Sequence, residues 1–208
     1  MNNRLVIVGA GPFGRELMCW ALEAVNAEWT SMAWVDDSAD ALDGHDYDLL
    51  WLGTLESFHP APTDRCVIAA GEPETKKKRV EALRARGASF ATLIHPSAVI
   101  ARTARIGEGS IFCPLSFLSA DARVGRFVTV NALSSVGHDV QLGDYSTLSA
   151  HVDLTGLVQV GESVFFGTGA KVVPKVRIGE KARIGAGVTV MRTVAAGTTL
   201  FAAPPRKF

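Results

Sequence analysis

The sequence predicts a small α/β unit followed by a parallel β-helix. From Ile94 to Val190 every sixth residue is large and apolar, seventeen in all, and the register never slips. From Ala98 onward, the residue two places before each of them is small or valine. A period of six matches neither an α-helix nor a heptad, but it is three times the strand period of two, so the apolar residue can face inward each time. Such repeats are typical of a β-helix, in which each repeat buries its apolar face against its neighbours.

Glycines divide these repeats into coils. They follow the large apolar residue at positions 18 apart, namely Gly107, Gly125, Gly143, Gly161 and Gly179. One coil is therefore three hexapeptides, and we expect between five and six coils of a triangular prism. We also expect these glycines to lie at corners that need a positive φ.

The first ninety residues predict the α/β unit. A short apolar strand at 5–8 leads into a G-x-G-x-x-G turn, a helix is predicted over 15–27, and a second strand over 32–35 ends at Asp36 and Asp37. Residues 66–70 predict a third strand, which Gly71 follows, and residues 76–86 predict a second helix. This order is typical of a Rossmann-like βαβ unit with parallel strands. We therefore expect two domains, at 1–92 and 93–208.

The composition argues against several function classes. The 208 residues carry 21 basic and 21 acidic side chains, without a basic stripe for nucleic acid or a basic amphipathic helix for a membrane surface. Three cysteines without close pairing favour a reducing compartment, so we expect a cytoplasmic protein. No C-x-x-C spacing is present, and the spacings of His95, His138 and His151 are not multiples of an 18-residue coil, so we expect no metal site.

The glycine turn predicts a phosphate site, since glycines let the backbone approach a diphosphate and a helix N-terminus offers free N–H groups. The acids after the second strand could hold ribose hydroxyls or a base. The unit is too short for a second mononucleotide half, so a single nucleotide with a diphosphate fits better than NAD. The alternative is a tight turn without a ligand. The residues that we expect to contact substrate are Gly9, Gly11, Phe13, Gly14, Asp36, Asp37, Gly71 and Asn131.

The candidate for catalysis is His138, which follows a glycine at an expected corner and precedes Asp139. Histidine is suited to take a proton near neutral pH, and a neighbouring carboxylate could orient its ring. The alternative is a polar turn without chemistry. Asn131 stands at a glycine-type corner position, where asparagine is tolerated, or it presents its amide to a substrate.

The outward-facing rows predict one solvated face and two faces that carry exposed apolar residues. The row Arg105, Arg123, Gln141, Gln159, Arg177 is polar throughout. The other faces carry Val99, Ile111, Phe117, Thr129, Ser135, Thr147 and Phe165. Apolar residues clustered on particular faces suggest a protein interface, and a threefold cluster would suit such a prism.

Together these features resemble the bacterial nucleotide-sugar N-acetyltransferases and sialic-acid O-acetyltransferases of the hexapeptide-repeat acyltransferases. The resemblance covers nearly the whole chain. Its matching pieces are residues 7–11, 35–37, 68–71 and 93–96, the triplet Gly137-His138-Asp139, and the tail at 203–207. The resemblance implies a left-handed β-helix and a homotrimer with active sites between subunits. Some relatives carry histidine where this chain has Phe13 and Thr147.

The resemblance also implies roles for individual residues. His138 would be the general base, assisted by Asp139, and the Gly156 amide would stabilise the oxyanion. Asn131 would help hold the sugar. Acetyl-CoA would lie along the prism, against Gly156, Thr168, Gly185, Ala186, Gly187 and Arg206.

The expected function is acetyl transfer from acetyl-CoA to the amino group of a nucleotide-linked amino sugar, with a 4-amino-4,6-dideoxy sugar favoured. One alternative is a sugar O-acetyltransferase of the sialic-acid type, because the same base could deprotonate a hydroxyl. A second alternative is a nucleotide-binding trimeric scaffold without catalysis. A dinucleotide-dependent oxidoreductase is disfavoured because the second half-domain is missing.

Overall fold

A computed structural model describes residues 3–25 and 27–203. A five-stranded parallel sheet with two helices spans the first ninety residues, and a parallel β-solenoid of eighteen short strands follows. Within the described ranges, no helix is both long and apolar enough to cross a membrane.

The N-terminal sheet has the strand order β3-β2-β1-β4-β5, and all of its neighbours are parallel. Its elements are β1 Asn3–Val8, α1 Pro12–Trp20, β2 Trp29–Val35, β3 Leu50–Trp51, β4 Asp64–Ile68, α2 Pro73–Arg84 and β5 Ser89–Phe90. Because side chains alternate along β1, Leu5 and Ile7 pack on one side with Leu17 of α1, whereas Val6 and Val8 pack on the other with Val80 of α2. The two helices therefore cover opposite faces of the sheet.

The predicted bounds of the helices were wrong. Helix α1 begins three residues earlier than expected, because Pro12 occupies the first turn, where its missing N–H is not needed. It ends at Trp20 and is followed by a single 3-10 turn, Ala21–Glu23. Leu22 and Val25, which lie within the predicted helix but after its observed end, are consequently exposed.

The solenoid strands follow one another at a spacing of six residues. They are β6 Leu93–Ile94, β7 Val99–Ile100, β8 Arg105–Ile106, β9 Ile111–Phe112, β10 Phe117–Leu118, β11 Arg123–Val124, β12 Thr129–Val130, β13 Ser135–Val136, β14 Gln141–Leu142, β15 Thr147–Leu148, β16 Asp153–Leu154, β17 Gln159–Val160, β18 Phe165–Phe166, β19 Lys171–Val172, β20 Arg177–Ile178, β21 Arg183–Ile184, β22 Thr189–Val190 and β23 Thr199–Leu200. They form three parallel sheets of seven, six and five strands. We call these the docking face (β6 to β23), the open face (β7 to β22) and the polar face (β8 to β20).

The apolar ladder faces inward, as predicted. Phe112, Leu148 and Val172 are fully buried in one continuous core that runs through the solenoid. Only the first three members of the ladder, Ile94, Ile100 and Ile106, are partly buried, because they lie at the start of the solenoid.

The prediction that the corner glycines need a positive φ was wrong. None of the five has a positive φ; the left-handed residues come two positions later and include Phe127, Tyr145 and Lys181. The glycines are needed because the coils stack closely. A Cβ at Gly107 would lie 2.6 Å from the backbone of Gly125, and one at Gly161 would lie 2.6 Å from Glu180 N.

Buried serines connect successive coils at the small position before each strand. Ser134 Oγ donates to Ser149 O at 2.8 Å and accepts from Val152 N at 3.1 Å. Ser110 and Ser146 form the same pair of bonds in their own coils. Ser116, one coil before Ser134 in the same column, has a buried hydroxyl without a hydrogen-bond partner among the described residues.

The prediction for the three faces holds only in part. The polar row is exposed throughout, which confirms the solvated face. The docking face is covered by the N-terminal unit of the same chain, so that Ile111, Thr129 and Thr147 are buried. The open face leaves Val99 59% and Phe117 42% exposed.

Helix α2 makes most of the polar contacts with the solenoid. Lys77 pairs with Glu162 at 2.6 Å, and Arg84 pairs with Glu108 at 2.7 Å. Arg183 reaches back to Glu72, the residue before α2, at 2.6 Å. Lys76 inserts its ammonium group between two coils. These contacts join α2 to the docking face.

We predict that Ser134→Ala lowers the free energy of unfolding by about 1 to 3 kcal/mol, because it leaves a buried N–H and a buried carbonyl unpaired. Ser116→Ala is the matched control and should change it by less than about 0.5 kcal/mol. Urea unfolding at one fixed protein concentration measures both. Equal losses in the two variants would contradict the bridging role of the Ser134 hydroxyl.

Candidate active site

His138 lies on the corner between the open and polar faces, which we call the second corner. Its Nδ1 lies 2.8 Å from Asp139 Oδ2, and the two side chains are 61% and 50% exposed. Asp139 adopts a φ of 58°, which aspartate tolerates, and its amide donates to Ala120 O at 3.1 Å. The carboxylate thus holds one ring nitrogen and leaves Nε2 for a ligand.

Gly156 lies one coil beyond His138 in the same column. A Cβ at this position would overlap Nε2, Cε1 and Cδ2 of the imidazole, so only glycine leaves room for the ring. The same column carries Ala120 and Pro174 in other coils, so the corner does not itself require glycine. No acceptor for the Gly156 amide is present among the described residues. An unpaired N–H therefore lies close to the imidazole.

Asn131 lies on the corner between the docking and open faces, which we call the first corner. Its Oδ1 is 3.5 Å from Cys113 Sγ. The expectation of a glycine-like conformation was wrong, because the left-handed residue of this corner is Leu133. The amide of Asn131 is half-exposed beside the N-terminal unit.

Of the residues expected along the CoA path, Thr168, Gly185, Ala186 and Gly187 also lie on the first corner, whereas Gly156 lies on the second. Thr168 is exposed, and its carbonyl accepts from Gly187 N at 2.9 Å in the next coil. Gly185 and Ala186 lie beside them. Arg206 lies outside the described residues.

A single chain does not bring the two predicted groups together. His138, Asp139 and Gly156 occupy the second corner, whereas Asn131 and the Thr168 region occupy the first. The open face separates them. Leu115 and Leu133 are exposed on the first corner, 59% and 49%, next to exposed Val99 and Phe117. The open face is therefore apolar at its first two strands, and its later strands point Ser135, Asp153, Lys171 and Thr189 outward.

The glycine turn lies at the carboxyl edge of the N-terminal sheet. Gly9 has a φ of 111°, and a Cβ at Gly14 would overlap Gly9 O, so both positions require glycine. The first helical amide with an acceptor is that of Arg15, which donates to Gly11 O at 3.0 Å. The amides of Gly11, Phe13 and Gly14 have no acceptor among the described residues. Free N–H groups at a helix N-terminus form a site for an anion.

The acids after β2 shape this edge of the sheet. Asp36 accepts from Ala10 N at 2.8 Å with one oxygen and from Ser38 N at 3.1 Å with the other. Asp37 accepts from Leu55 N at 3.0 Å. Gly71 follows β4 at the same edge, where nothing would meet an added Cβ. The carboxylates therefore hold the loops around the glycine turn, and direct contact with substrate stays a prediction.

Arg79 was not among the predicted site residues. This α2 residue places a guanidinium nitrogen 3.4 Å from Val8 O and 2.7 Å from where a Cβ of Gly9 would stand. It makes no other hydrogen bond and no ion pair with the described residues. The helical pattern gave no signal for Arg79, because its reach depends on how α2 packs across the sheet. A half-buried guanidinium group with unused N–H donors therefore lies beside the glycine turn.

The two positions at which some relatives carry histidine serve packing in this chain. Phe13 is half-buried in the apolar cluster that includes Cys113 and Ala132. Thr147 is buried and accepts from Lys76 Nζ at 2.9 Å. Neither side chain offers a proton acceptor at the second corner.

The cysteines do not form a nucleophilic site. All three thiols are free, and Cys66 and Cys113 are buried. Burial raises the pKa of Cys66 to about 12 and that of Cys113 further. Thiols of raised pKa are poor nucleophiles at neutral pH. Within the described ranges no group of three His, Cys, Asp or Glu side chains is arranged to hold a metal ion.

The chain is similar to several known proteins. Residues 158–192 match the family described as bacterial transferase hexapeptide (six repeats). The comparison with curated proteins gave no match. Among solved structures, the acetyltransferase domain of PglB from Neisseria gonorrhoeae FA1090, in complex with acetyl coenzyme A, is 26% identical and superposes with a TM-score of 0.84 over 96% of each chain.

Two further structures are similar over almost their whole length. WeeI from Acinetobacter baumannii AYE is 27% identical over 99% of each chain, with a TM-score of 0.84. PerB from Caulobacter crescentus, in complex with CoA and GDP-perosamine, is 30% identical over 95% of this chain and 93% of its own, with a TM-score of 0.84. The chain therefore belongs to the sugar acetyltransferases of the hexapeptide-repeat acyltransferases, whose solenoid is of the left-handed β-helix type.

Proposed function

We propose that the protein transfers the acetyl group of acetyl-CoA to the amino group of a nucleotide-linked amino sugar. The observation that carries this proposal is the pair His138 and Asp139, whose imidazole lies over Gly156 with Nε2 free. The solved relatives support the two substrates, since one was solved with acetyl coenzyme A and another with CoA and GDP-perosamine. We further propose that the acceptor is a 4-amino-4,6-dideoxy sugar.

In this mechanism His138 acts as the general base. Asp139 accepts a hydrogen bond from the Nδ1–H of His138 and holds the ring, so that the lone pair on Nε2 faces the acceptor. Nε2 takes a proton from the sugar amine as its nitrogen forms a bond to the thioester carbonyl carbon. The Gly156 N–H stabilises the negative oxygen that develops. When the intermediate collapses, the C–S bond breaks and the imidazolium returns its proton to the leaving thiolate.

We propose that residues 1–92 form a Rossmann-like domain that binds the nucleotide. Its parallel sheet and its helices on opposite faces support this assignment, since ligands bind such sheets outside the carboxyl ends of the strands. The free amides at Gly11, Phe13 and Gly14 would receive the diphosphate. Arg79 would pair with its charge, because a guanidinium with one long hydrogen bond retains donors for phosphate. Asp36, Asp37 and Gly71 would border the nucleoside.

We propose that residues 93–208 bind acetyl-CoA and assemble as a homotrimer through the open face. Support comes from the separation of the two corners, because His138 of one chain can meet Asn131 only in another chain. Exposed Val99 and Phe117 on that face, with exposed Leu115 at its edge, give its first two strands the apolar character of an interface. Thr168, Gly185, Ala186 and Gly187 would line the CoA path, with the sugar held by Asn131.

The test of this function is an acceptor panel. Purified protein is incubated with acetyl-CoA and UDP-, dTDP- and GDP-linked 4-amino sugars, and the release of free thiol is followed. We expect turnover with at least one amine acceptor. The matched hydroxy sugars and free sialic acid are the controls. Turnover only with hydroxyl acceptors would indicate O-acetylation, and no turnover with any acceptor would contradict the proposal.

We predict that Gly156→Ala lowers kcat by roughly a hundredfold or more, because a methyl group there displaces the imidazole. His138→Ala should lower kcat by a similar factor while the trimer stays folded, as size-exclusion chromatography would show. The double variant should then be no slower than His138→Ala alone. Additive losses would show that Gly156 acts independently of the ring.

We predict that Arg79→Gln weakens the binding of a nucleoside diphosphate by roughly tenfold, since an ion-paired hydrogen bond to phosphate is lost. Lys78→Gln is the control, because it removes the same charge from an exposed position on the same helix. Calorimetry with UDP, dTDP and GDP, and with the corresponding nucleosides, measures both variants. An equal loss of affinity for the nucleosides would contradict a contact with the diphosphate.

A further inference from the structure

Lys76 is a buried lysine at the seam between the N-terminal unit and the solenoid. The residue is 2% exposed, and its side chain is among the largest fully buried ones of the described residues. Nζ donates to Thr129 Oγ1 at 3.0 Å and to Thr147 Oγ1 at 2.9 Å. It also contacts the carbonyl oxygens of Ser146 at 3.3 Å and Tyr145 at 3.4 Å. The four oxygens exceed the three N–H groups of an ammonium, so no donor is left for a ligand.

The other polar contacts of the seam hold less firmly. The pairs Lys77–Glu162, Arg84–Glu108 and Glu72–Arg183 have side chains between 33% and 45% exposed. Exposed pairs of this kind contribute little and tolerate changes in geometry. A buried ammonium has no such freedom, because any shift leaves it or its acceptors without partners. Burial accordingly lowers the pKa of Lys76 to about 7. Among the polar contacts of the seam, that of Lys76 therefore tolerates a shift of α2 least, and apolar packing of Val80 and Leu83 with Phe127 supports it.

The position of α2 on the solenoid links both parts of the proposed acceptor site. Lys76 lies in the first turns of α2, five residues after Gly71 and three before Arg79. Its acceptor Thr129 lies in β12, two residues before Asn131. A single buried contact thus joins the helix that reaches the glycine turn to the strand that ends at the first corner.

We propose that Lys76 is a positioning residue, which sets the distance between the nucleotide bound at the glycine turn and the sugar held at Asn131. This inference rests on the proposed function. Lys76 contacts neither substrate; it acts through α2 and β12. The acceptor amine is presented to the base only if both ends of the nucleotide sugar are held at their proper separation. A displacement of about 1 Å is enough to slow such a reaction by roughly a hundredfold.

The test compares Lys76→Met with Lys78→Met. Methionine keeps most of the length of the side chain but cannot donate hydrogen bonds, and Lys78 is an exposed lysine of the same helix. For Lys76→Met we expect the dissociation constants of nucleoside diphosphate and of acetyl-CoA to stay within about twofold, because each binds within one unit. We expect kcat to fall roughly tenfold to a hundredfold. Lys78→Met should behave like the original protein, and Lys76→Arg should recover part of kcat, since it keeps the donors.

Hydrogen–deuterium exchange provides a readout that needs no turnover. Lys76→Met should increase exchange at the amides of residues 72–79 and 145–147, whereas Lys78→Met should not. Where Lys76→Met fails to fold, Thr129→Val and Thr147→Val each remove one acceptor and should lower kcat by a smaller factor.

Unchanged kcat and exchange in Lys76→Met would overturn the inference, as would a loss confined to either dissociation constant. If the original protein acetylates no acceptor, the proposed function fails; unchanged exchange in Lys76→Met would then still refute fixation of the seam by Lys76.

Discussion

The close stacking of one coil on the next is the constraint on which the rest of the structure depends. Each strand pairs with the strand 18 residues later, so residues in one column are direct neighbours. At the corners the backbones approach so closely that a Cβ at Gly107 or Gly161 would collide with the next coil. The same approach brings the imidazole of His138 over Gly156. The geometry of the candidate site at the second corner is therefore a consequence of coil spacing and does not depend on a loop.

Stacking also determines what a single chain cannot do. A rigid prism keeps the first and second corners apart, with the width of the open face between them. No loop leaves the solenoid between β6 and β22 to carry Asn131 towards His138. A site that needs both residues must then be built from two chains, and the apolar residues Val99 and Phe117 lie on the face that such an assembly would cover. The N-terminal unit is held against the solenoid because α2 packs on the docking face.

Periodicity predicted the solenoid because it reports a local alternation that every coil repeats. It placed the apolar ladder inside, the polar row outside and His138 on a corner. It did not predict why the corner glycines are needed, since contact between coils 18 residues apart is not visible in a single repeat. The sequence pattern did not predict the contacts of Lys76 and Arg79 either. Both belong to a helix whose sequence pattern shows only which residues are polar. Their partners, Thr129 and Val8, depend on how α2 packs between the N-terminal sheet and the solenoid.

The surroundings of the histidines explain why we propose His138 as the base. A histidine at position 147, as in some relatives, would have to share the space in which Thr147 accepts from Lys76. His95 is engaged elsewhere, since its Nδ1 accepts from Ser97 N at 3.0 Å and its ring packs edge-on against Trp20. His45 and His59 are exposed on the N-terminal unit, and His151 lies on the first corner. Of the described histidines, His138 alone combines a free ring nitrogen, a carboxylate on the other nitrogen and an unpaired backbone amide beneath the ring.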